Sequence, residues 1–451
     1  MKKFLITLSK ILIFHSLIMA QSYSPTYFSK TDFTDDIQYL AQKVSHIHPK
    51  FLDSEFSYKW KFQLDSVVKT LPDSISFNDG FIKAAQMLSC LKDGHTSLLF
   101  SYSERTKYMQ HGGVTIPLTV SVKKDKIFIN QYLGDNRSVQ LSNAEILSIN
   151  SITAEEILKK MRSLSGSHND IGIERYFGSY FWMFWGEQQK YQISVATTDS
   201  AFSVETVPVS NSAFFELKNK YYPEKIAPNY ELAFIDSNSV ALLKIKTFAD
   251  DLAPFLRHAF DTITSKNCTN LIIDIRDNPG GNSRSVDSLL NYLTKKPYTQ
   301  YASISLRVSD EVKDYYSKKK PDAYQLIAHL PINTSFLFDD SLLVHTPVHK
   351  PSFFHGNVFV LTNGRTNSAA ATFTGVIKSY RIGKIIGQDT GEKIHYYGDY
   401  LTFKLPHMNL ELVVSPKEFI QHGGENLDEG VSPDIRLCED YKTPESLIRQ
   451  L

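Results

Sequence analysis

The sequence predicts a mixed α/β protein with several domains, and three observations lead to this fold class. The chain has 451 residues, which exceeds the size at which a single hydrophobic core stops growing. From Glu231 onward, short apolar runs alternate with segments of helical periodicity, as in an α/β layer with mostly parallel strands. Upstream, residues 31–91 have helical spacing, whereas residues 114–160 contain several short strand-like runs. We therefore expect α/β and α+β parts within one chain.

The changes of pattern also suggest the domain boundaries. We expect a helical N-terminal region over residues 21–110, a β-rich module over residues 111–200 and an α/β core over residues 201–451. The clearest strand-like runs are residues 116–122, 126–129, 144–150, 241–245, 271–275 and 358–361, and the helical segments between the core strands are residues 254–265 and 283–293. A segment over residues 298–355 is rich in lysines and scattered aromatic residues and is predicted to be an insertion into the core.

Residues 1–20 have the features of a secretory signal peptide. Basic residues precede an apolar stretch over residues 11–19, and Ala20 stands before a polar segment. The apolar stretch is shorter than the roughly 20 residues that a membrane span requires. We therefore expect cleavage after Ala20 and a secreted or periplasmic protein without stable membrane insertion.

Composition excludes several classes of partner and cofactor. Lys and Arg number 49 against 48 for Asp and Glu, so the net charge of +1 gives no general attraction for nucleic acid. The cysteines Cys90, Cys268 and Cys438 are too few and too scattered for a disulfide framework or a zinc site. No segment has the pattern of a nucleotide site, and we expect neither a metal nor another cofactor.

Ser368 stands at a predicted junction between a strand and a helix. The apolar run over residues 358–361 suits a buried strand, Asn363 and Gly364 break it, and the alanines after Ser368 favour a helix. Unpaired N–H groups and the helix dipole would favour an anion there, such as the oxygen formed when a serine attacks an acyl carbon. The alternative is a plain N-cap, a role in which serine is common.

Two other segments end secondary structure elements in ways that suit a reactive site. After the strand-like run over residues 271–275, Gly280 and Gly281 permit a turn that exposes N–H groups, although an ordinary loop would use the same residues. His95 is predicted in a tight turn between a helix and an apolar strand, where its imidazole could face a cleft. A purely structural histidine is the alternative.

Five motifs in this chain resemble those of the C-terminal processing peptidases, in the same order. This family of serine peptidases includes the tail-specific proteases and the tricorn core. The motifs are Lys92-Asp-Gly-His-Thr, Asp274-Ile-Arg-Asp-Asn-Pro-Gly-Gly, Thr366-Asn-Ser-Ala-Ala, Ile386-Gly-Gln-Asp-Thr-Gly and Gly430-Val-Ser-Pro-Asp-Ile. The resemblance implies a crotonase-like (ClpP-like) α/β catalytic core, a helical N-terminal part and a PDZ-like β module. It also implies that Ser368 is the nucleophile and that the N–H groups of Ala369 and of Gly280 or Gly281 form the oxyanion hole.

The general base has two candidates. Tail-specific members use a lysine, and an ungapped count places Lys393 in that register, but Glu392 stands where the family has a glycine. A carboxylate beside an ammonium favours its charged form, which opposes use as a base. The tricorn-like branch uses a histidine from the N-terminal part, which corresponds to His95. We favour His95, because an imidazole needs only a small pKa change to act near neutral pH.

Other roles remain open at this stage. The group that orients the base could be Asp93, Glu425, Asp428 or Glu429. The PDZ-like module could bind a peptide by strand addition or serve as a spacer. The aromatic run over residues 176–185 could form core or substrate contacts.

The sequence therefore predicts an exported serine endopeptidase that acts on a peptide or protein substrate through an acyl-enzyme on Ser368. One alternative is a non-catalytic peptide- or lipid-binding protein on the same scaffold. An esterase of the α/β-hydrolase type is a weaker alternative, because Asn367 and Ala369 replace the glycines of the usual Gly-x-Ser-x-Gly turn. The oligomeric state cannot be predicted from the sequence.

Overall fold

The computed structural model describes residues 23–99, 102–135, 138–167, 169–222, 228–235 and 239–437. The predicted signal peptide with its cleavage point after Ala20, and Cys438, lie outside the described residues. The helices are α1 Lys30–Ile47, α2 Ser54–Lys69, α3 Phe77–Ser89, α4 Tyr102–Gln110, α5 Ser138–Leu141, α6 Ala154–Arg162, α7 Ile171–Trp185, α8 Asn211–Tyr221, α9 Leu252–Ser265, α10 Ser283–Leu290, α11 Asp310–Lys319, α12 Pro321–Ile327, α13 Asp340–Leu343 and α14 Ala369–Ser379. The strands are β1 Tyr27–Ser29, β2 Ser74–Ser76, β3 Ser97–Leu98, β4 Val114–Thr115, β5 Leu118–Lys123, β6 Lys126–Tyr132, β7 Glu145–Ile149, β8 Ile152–Thr153, β9 Tyr191–Ala196, β10 Ala201–Thr206, β11 Val209–Ser210, β12 Tyr230–Ile235, β13 Val240–Ile245, β14 Asn270–Asp274, β15 Tyr298–Thr299, β16 Tyr301–Val308, β17 Thr334–Leu337, β18 Val344–His345, β19 Asn357–Thr362, β20 Lys384–Gly387, β21 His395–Gly398, β22 Leu401–Lys404, β23 Glu411–Val414, β24 Lys417–Gln421 and β25 Ile435–Arg436.

A six-stranded sheet in the order β12-β13-β14-β19-β20-β25 forms the centre of the C-terminal half. Strands β13, β14, β19, β20 and β25 run parallel, and β12 is antiparallel at one edge. Helices α9, α10 and α14 bury their apolar residues against this sheet in one hydrophobic core. The predicted alternation of strands and helices is therefore confirmed, and with it the mixed α/β class. The loops after β14 and β19 leave neighbouring strands at the same edge, which places their side chains close together.

A second six-stranded sheet forms the β-rich module, with β10-β9-β7-β6-β5 in order and β8 beside β7. The antiparallel strands β5 and β6 are joined by Lys124 and Asp125, both at positive φ, as a two-residue hairpin turn requires. Helices α6 and α7 cover the sheet and share its apolar core. Strand β10 continues the sheet beyond residue 200, the end expected for the module.

The N-terminal helices do not form a separate core. Their buried residues pack in one cluster with residues of α11, β22 and β23, which come from the C-terminal half. The buried carboxylate of Asp36 in α1 accepts hydrogen bonds from the backbone N–H groups of His407 and Met408, at 2.8 and 2.7 Å. In addition, β3 pairs with β23. These contacts attach the loop between α3 and β3, which carries His95, to the C-terminal half.

Within the described part of the chain, the helices are too short or too polar to cross a membrane.

Candidate active site

Ser368 occupies a strained turn between β19 and α14. Its backbone has φ +48° and ψ −126°, a conformation that residues with side chains rarely adopt and that costs about 1–3 kcal/mol. Although Ser368 occupies the N-cap position of α14, its side chain makes no capping hydrogen bond. Strain of this kind is retained mainly at functional sites. The hydroxyl is therefore not explained by helix capping.

The loop after β14 packs its glycine turn directly against Ser368. A Cβ atom at Gly280 would lie 2.6 Å from the Cβ of Ser368 and 2.9 Å from the backbone nitrogen of Ala369. A Cβ atom at Gly281 would lie 2.3 Å from the carbonyl oxygen of Phe248. Both glycines have positive φ, so space and backbone conformation together require them.

The amide groups around Ser368 differ in availability. The side chain of the buried Asn278 donates to the Ile245 carbonyl oxygen at 2.9 Å and accepts from the N–H of Gly280 at 2.8 Å. The N–H groups of Gly281 and Ala369 make no hydrogen bond to any of the described residues. Among the three expected oxyanion donors, Gly281 and Ala369 therefore have available N–H groups, whereas that of Gly280 stabilises the turn.

His95 and Ser368 line the same cavity of about 520 Å³, although 273 positions separate them in the sequence. The backbone N–H of His95 donates to Oδ1 of Asp93 at 2.8 Å, and Nδ1 of the imidazole lies 3.8 Å from the same oxygen. The imidazole is one-third exposed, at 33%, and its ring centroid lies 5.7 Å from that of Tyr396. The tertiary structure therefore places an accessible imidazole at the cavity that holds the serine.

Asp93 is the buried carboxylate closest in sequence to His95. Its second oxygen, Oδ2, lies 3.3 Å from Nε2 of His48, and neither side chain is more than 1% exposed. Burial by itself would raise the pKa of Asp93, but the hydrogen bond from His48, together with the charge of His95, lowers it below its usual range. Asp93 is therefore ionised at neutral pH and accepts the backbone N–H of His95.

Glu392 is a further acidic residue in the cavity, and it was not among the site residues predicted from the sequence. Burial raises the pKa of its carboxyl group, and the negative charge of Asp93 adds to this increase. The charge of His95 and a hydrogen bond from the backbone of Ser368 oppose it. Glu392 thus interacts with both the imidazole of His95 and the backbone of Ser368. Its deviation from the glycine of the family motif was the available sequence signal.

Lys393 lines the cavity but is paired with a carboxylate. Its Nζ donates to Oδ1 of Asp428 at 3.0 Å, and Asp428 itself is 90% exposed. An ammonium donates hydrogen bonds and has no lone pair with which to accept a proton. The side chains of Glu425 and Glu429 are exposed, and neither lines the cavity. Of the four acids considered as orienting groups, only Asp93 contacts His95 directly.

The rest of the cavity wall combines apolar and polar side chains. The aromatic run over residues 176–185 divides between two roles: Phe181 and Trp182 are buried, whereas Tyr176 and Tyr180 line the cavity. The thiol of Cys90 is unsuited to nucleophilic attack because burial raises its pKa to about 11. Among the described residues, no group of three or more His, Cys, Asp and Glu side chains could hold a metal ion.

Comparisons with known proteins indicate the family and the fold of this chain. Residues 239–437 match the sequence profile of Peptidase family S41. A 70-residue segment is 34% identical to the carboxy-terminal processing protease CtpB of Bacillus subtilis (strain 168) and covers 15% of this chain and 15% of that protein. The fold is similar to that of mature CPAF, with a TM-score of 0.64 and 13% identity over 90% of this chain and 93% of that chain. Mature CPAF complexed with lactacystin gives a TM-score of 0.61 and 14% identity over 90% of this chain and 94% of that chain.

Residues 239–437 therefore carry a domain of Peptidase family S41, a family of peptidases. This finding confirms the family that the five sequence motifs indicated. The matched residues contain Ser368, both glycines of the turn and Glu392, whereas His95 and Asp93 come from the part of the chain before the match.

Proposed function

We propose that this protein is an exported serine endopeptidase that hydrolyses peptide bonds through an acyl-enzyme on Ser368. The observation that carries the proposal is the strained, uncapped Ser368, which shares one cavity with His95 and stands beside two available amide donors. The proposed fold assignments are a crotonase-like core for the six-stranded parallel layer and a PDZ-like fold for the β-rich module. Export rests on the predicted signal peptide over residues 1–20.

The reaction divides into two similar steps. His95 accepts the hydroxyl proton of Ser368 while the oxygen attacks the peptide carbonyl, and the resulting oxyanion receives hydrogen bonds from the N–H groups of Ala369 and Gly281. The tetrahedral species collapses as His95 returns the proton to the leaving amine, which leaves an ester on Ser368. A water molecule then attacks this ester with His95 again acting as the base, and the acid product is released.

His95 is preferred to Lys393 as the base because of the partners of each side chain. The ammonium of Lys393 donates to Asp428, and an ammonium has no lone pair with which to accept a proton. His95 instead has the ionised Asp93 next to Nδ1, and this negative charge stabilises the imidazolium that forms during attack. Glu392 lies near the same imidazole and adds to this stabilisation whenever it is ionised.

The substrate is proposed to be a peptide or protein segment that enters as an extended chain. Tyr176 and Tyr180 give the cavity an aromatic wall suited to an apolar side chain. Strand addition to the PDZ-like module is the proposed mode of holding the rest of the peptide.

A labelled fluorophosphonate tests the nucleophile. We expect covalent labelling of the purified protein at Ser368, identified by peptide mass, and loss of both labelling and peptide hydrolysis in Ser368→Ala. Ser379→Ala, at the exposed opposite end of the same helix, is the matched control and should behave as wild type. Labelling elsewhere, or hydrolysis unchanged in Ser368→Ala, would reject the mechanism. A folded protein that neither labels nor hydrolyses peptides would favour a binding protein on the same scaffold.

The base is tested separately with His95→Ala. We expect kcat/KM to fall by about 10²–10⁴-fold, the usual contribution of a general base. Retention of wild-type kcat/KM in this variant would exclude His95 from the role.

A further inference from the structure

We propose that His48 is a positioning residue for His95, acting through the carboxylate of Asp93. The inference rests on the proposed function and adds to it a second, fully buried imidazole behind the acid that orients the base. His48 does not line the cavity, so its effect would be exerted only through Asp93.

The backbone determines which nitrogen of His48 carries the proton. His48 is the N-cap of the 3-10 turn Pro49–Leu52, and its Nδ1 accepts the backbone N–H of Lys50 at 3.2 Å. A nitrogen that accepts a hydrogen bond carries no proton, so in the neutral ring the proton is on Nε2. Nε2 lies 3.3 Å from Oδ2 of Asp93, and the neutral imidazole therefore donates to this carboxylate.

The position of the imidazole is determined on several sides. The side chain is fully buried, at 0% exposure, and its ring centroid lies 4.3 Å from that of Tyr397. The backbone carbonyl oxygen of His48 accepts a hydrogen bond from Nη1 of Arg307 at 2.9 Å. The ring therefore has little freedom to turn away from Asp93.

Asp93 connects the fixed ring of His48 to His95 through its two carboxylate oxygens. With Oδ2 bonded to His48, the carboxylate directs Oδ1 to the backbone N–H of His95 and places the same oxygen 3.8 Å from its Nδ1. The hydroxyl of Thr96 also contacts the carboxylate. Because Asp93 is buried, an unmade hydrogen bond there would be costly, and the loop would shift to recover it.

The charge state of the pair matters for the base. Burial lowers the pKa of His48, and this effect exceeds the opposing attraction of Asp93. A neutral His48 leaves the negative charge of Asp93 available to the imidazolium of His95, whereas a protonated His48 would cancel it. The other charged or titratable groups that face the pair are Lys50, Arg307, Tyr397, Glu392 and Glu418.

The test compares three variants of the full-length protein. His48→Leu removes the donor, His48→Gln restores an N–H at a similar reach, and His46→Gln, at an exposed histidine of α1, is the matched control. We expect kcat/KM to fall by about 10- to 100-fold in His48→Leu, because the buried carboxylate of Asp93 loses its hydrogen-bond donor, and to recover most of this loss in His48→Gln. His46→Gln should match wild type.

The pH profile separates positioning from a general loss of structure. In His48→Leu the acid limb of kcat/KM, which reports the ionisation of His95, should move to higher pH, because the carboxylate of Asp93 loses a donor and binds the imidazolium more strongly. In His48→Gln the limb should return to its wild-type position. An acid limb that does not move in His48→Leu, or a loss that His48→Gln does not rescue, would overturn the inference.

A replacement variant and a labelling control keep the test of His48 interpretable. If His48→Leu does not fold, His48→Asn replaces it, since this polar side chain is too short to reach Asp93, and the same outcomes apply. Fluorophosphonate labelling of wild-type Ser368 tests the proposed function separately from the role of His48. Failure to label wild type rejects the proposed function, whereas normal labelling of wild type together with unaltered His48 variants rejects only the role of His48.

Discussion

Gly280 is the position where one added methyl group should most directly disturb the candidate site. The Cβ of an alanine there would lie 2.6 Å from the Cβ of Ser368, whereas carbon atoms in contact prefer about 3.5–4.0 Å. Ser368 and the Gly280 turn would therefore have to separate by about 1 Å. The new Cβ would also lie 2.9 Å from the backbone nitrogen of Ala369, a proposed oxyanion donor.

The magnitude follows from these distances. A misplacement of about 1 Å at a catalytic group can lower the rate by about 10²-fold, so we expect kcat/KM of Gly280→Ala to fall by at least about that factor. The positive φ of Gly280, +103°, adds a backbone cost of about 1–3 kcal/mol to the free energy of folding. The variant should therefore be both slower and less stable than wild type.

The assay measures initial rates of peptide hydrolysis and of fluorophosphonate labelling well below the unfolding temperature, together with urea unfolding. Gly364→Ala is the matched control in the turn after β19, because a Cβ there meets nothing within 4 Å. We expect this control to keep wild-type rates. Wild-type labelling and kcat/KM in Gly280→Ala would refute the reasoning, because they would show that the close packing of this turn does not position Ser368.

Three further predictions follow from particular contacts. Lys393→Met should retain kcat/KM within about threefold, because its ion pair with an exposed Asp428 is weak; a loss comparable to that of His95→Ala would restore lysine as the base. Burial raises the pKa of Glu392, so its bound proton stabilises the folded state at low pH, and this stabilisation is lost as pH rises from the usual pKa of about 4.5 through the raised one. Urea unfolding should therefore show that the free energy of unfolding of Glu392→Gln increases relative to that of wild type over this pH range. A difference that stays constant with pH would contradict this prediction. Phe373→Ala, fully buried in α14, should lower the free energy of unfolding by about 3–5 kcal/mol, whereas Phe215→Ala, 52% exposed, should change it little in the same urea titration.

Some features of the site were determined by the local sequence. The apolar run of β19, the turn after it and the alanines of α14 place Ser368 at a strand-to-helix junction through short-range preferences alone. The two glycines after β14 were likewise recognisable, because few other residues adopt positive φ readily. Hydrophobic periodicity was sufficient to predict the mixed α/β class, since it depends on residues a few positions apart.

Only the tertiary structure decided which of these groups act together. The pairing of β3 with β23 places His95 at the cavity of Ser368, and no short-range pattern encodes contacts between such distant segments. The tertiary structure also determines that His48 contacts Asp93 and that the side chain of Asn278 accepts the N–H of Gly280. It likewise determines the burial that raises the pKa of Glu392. Burial and hydrogen-bond partnership are properties of the packed chain, so the residue types were visible in the sequence but their chemical states were not.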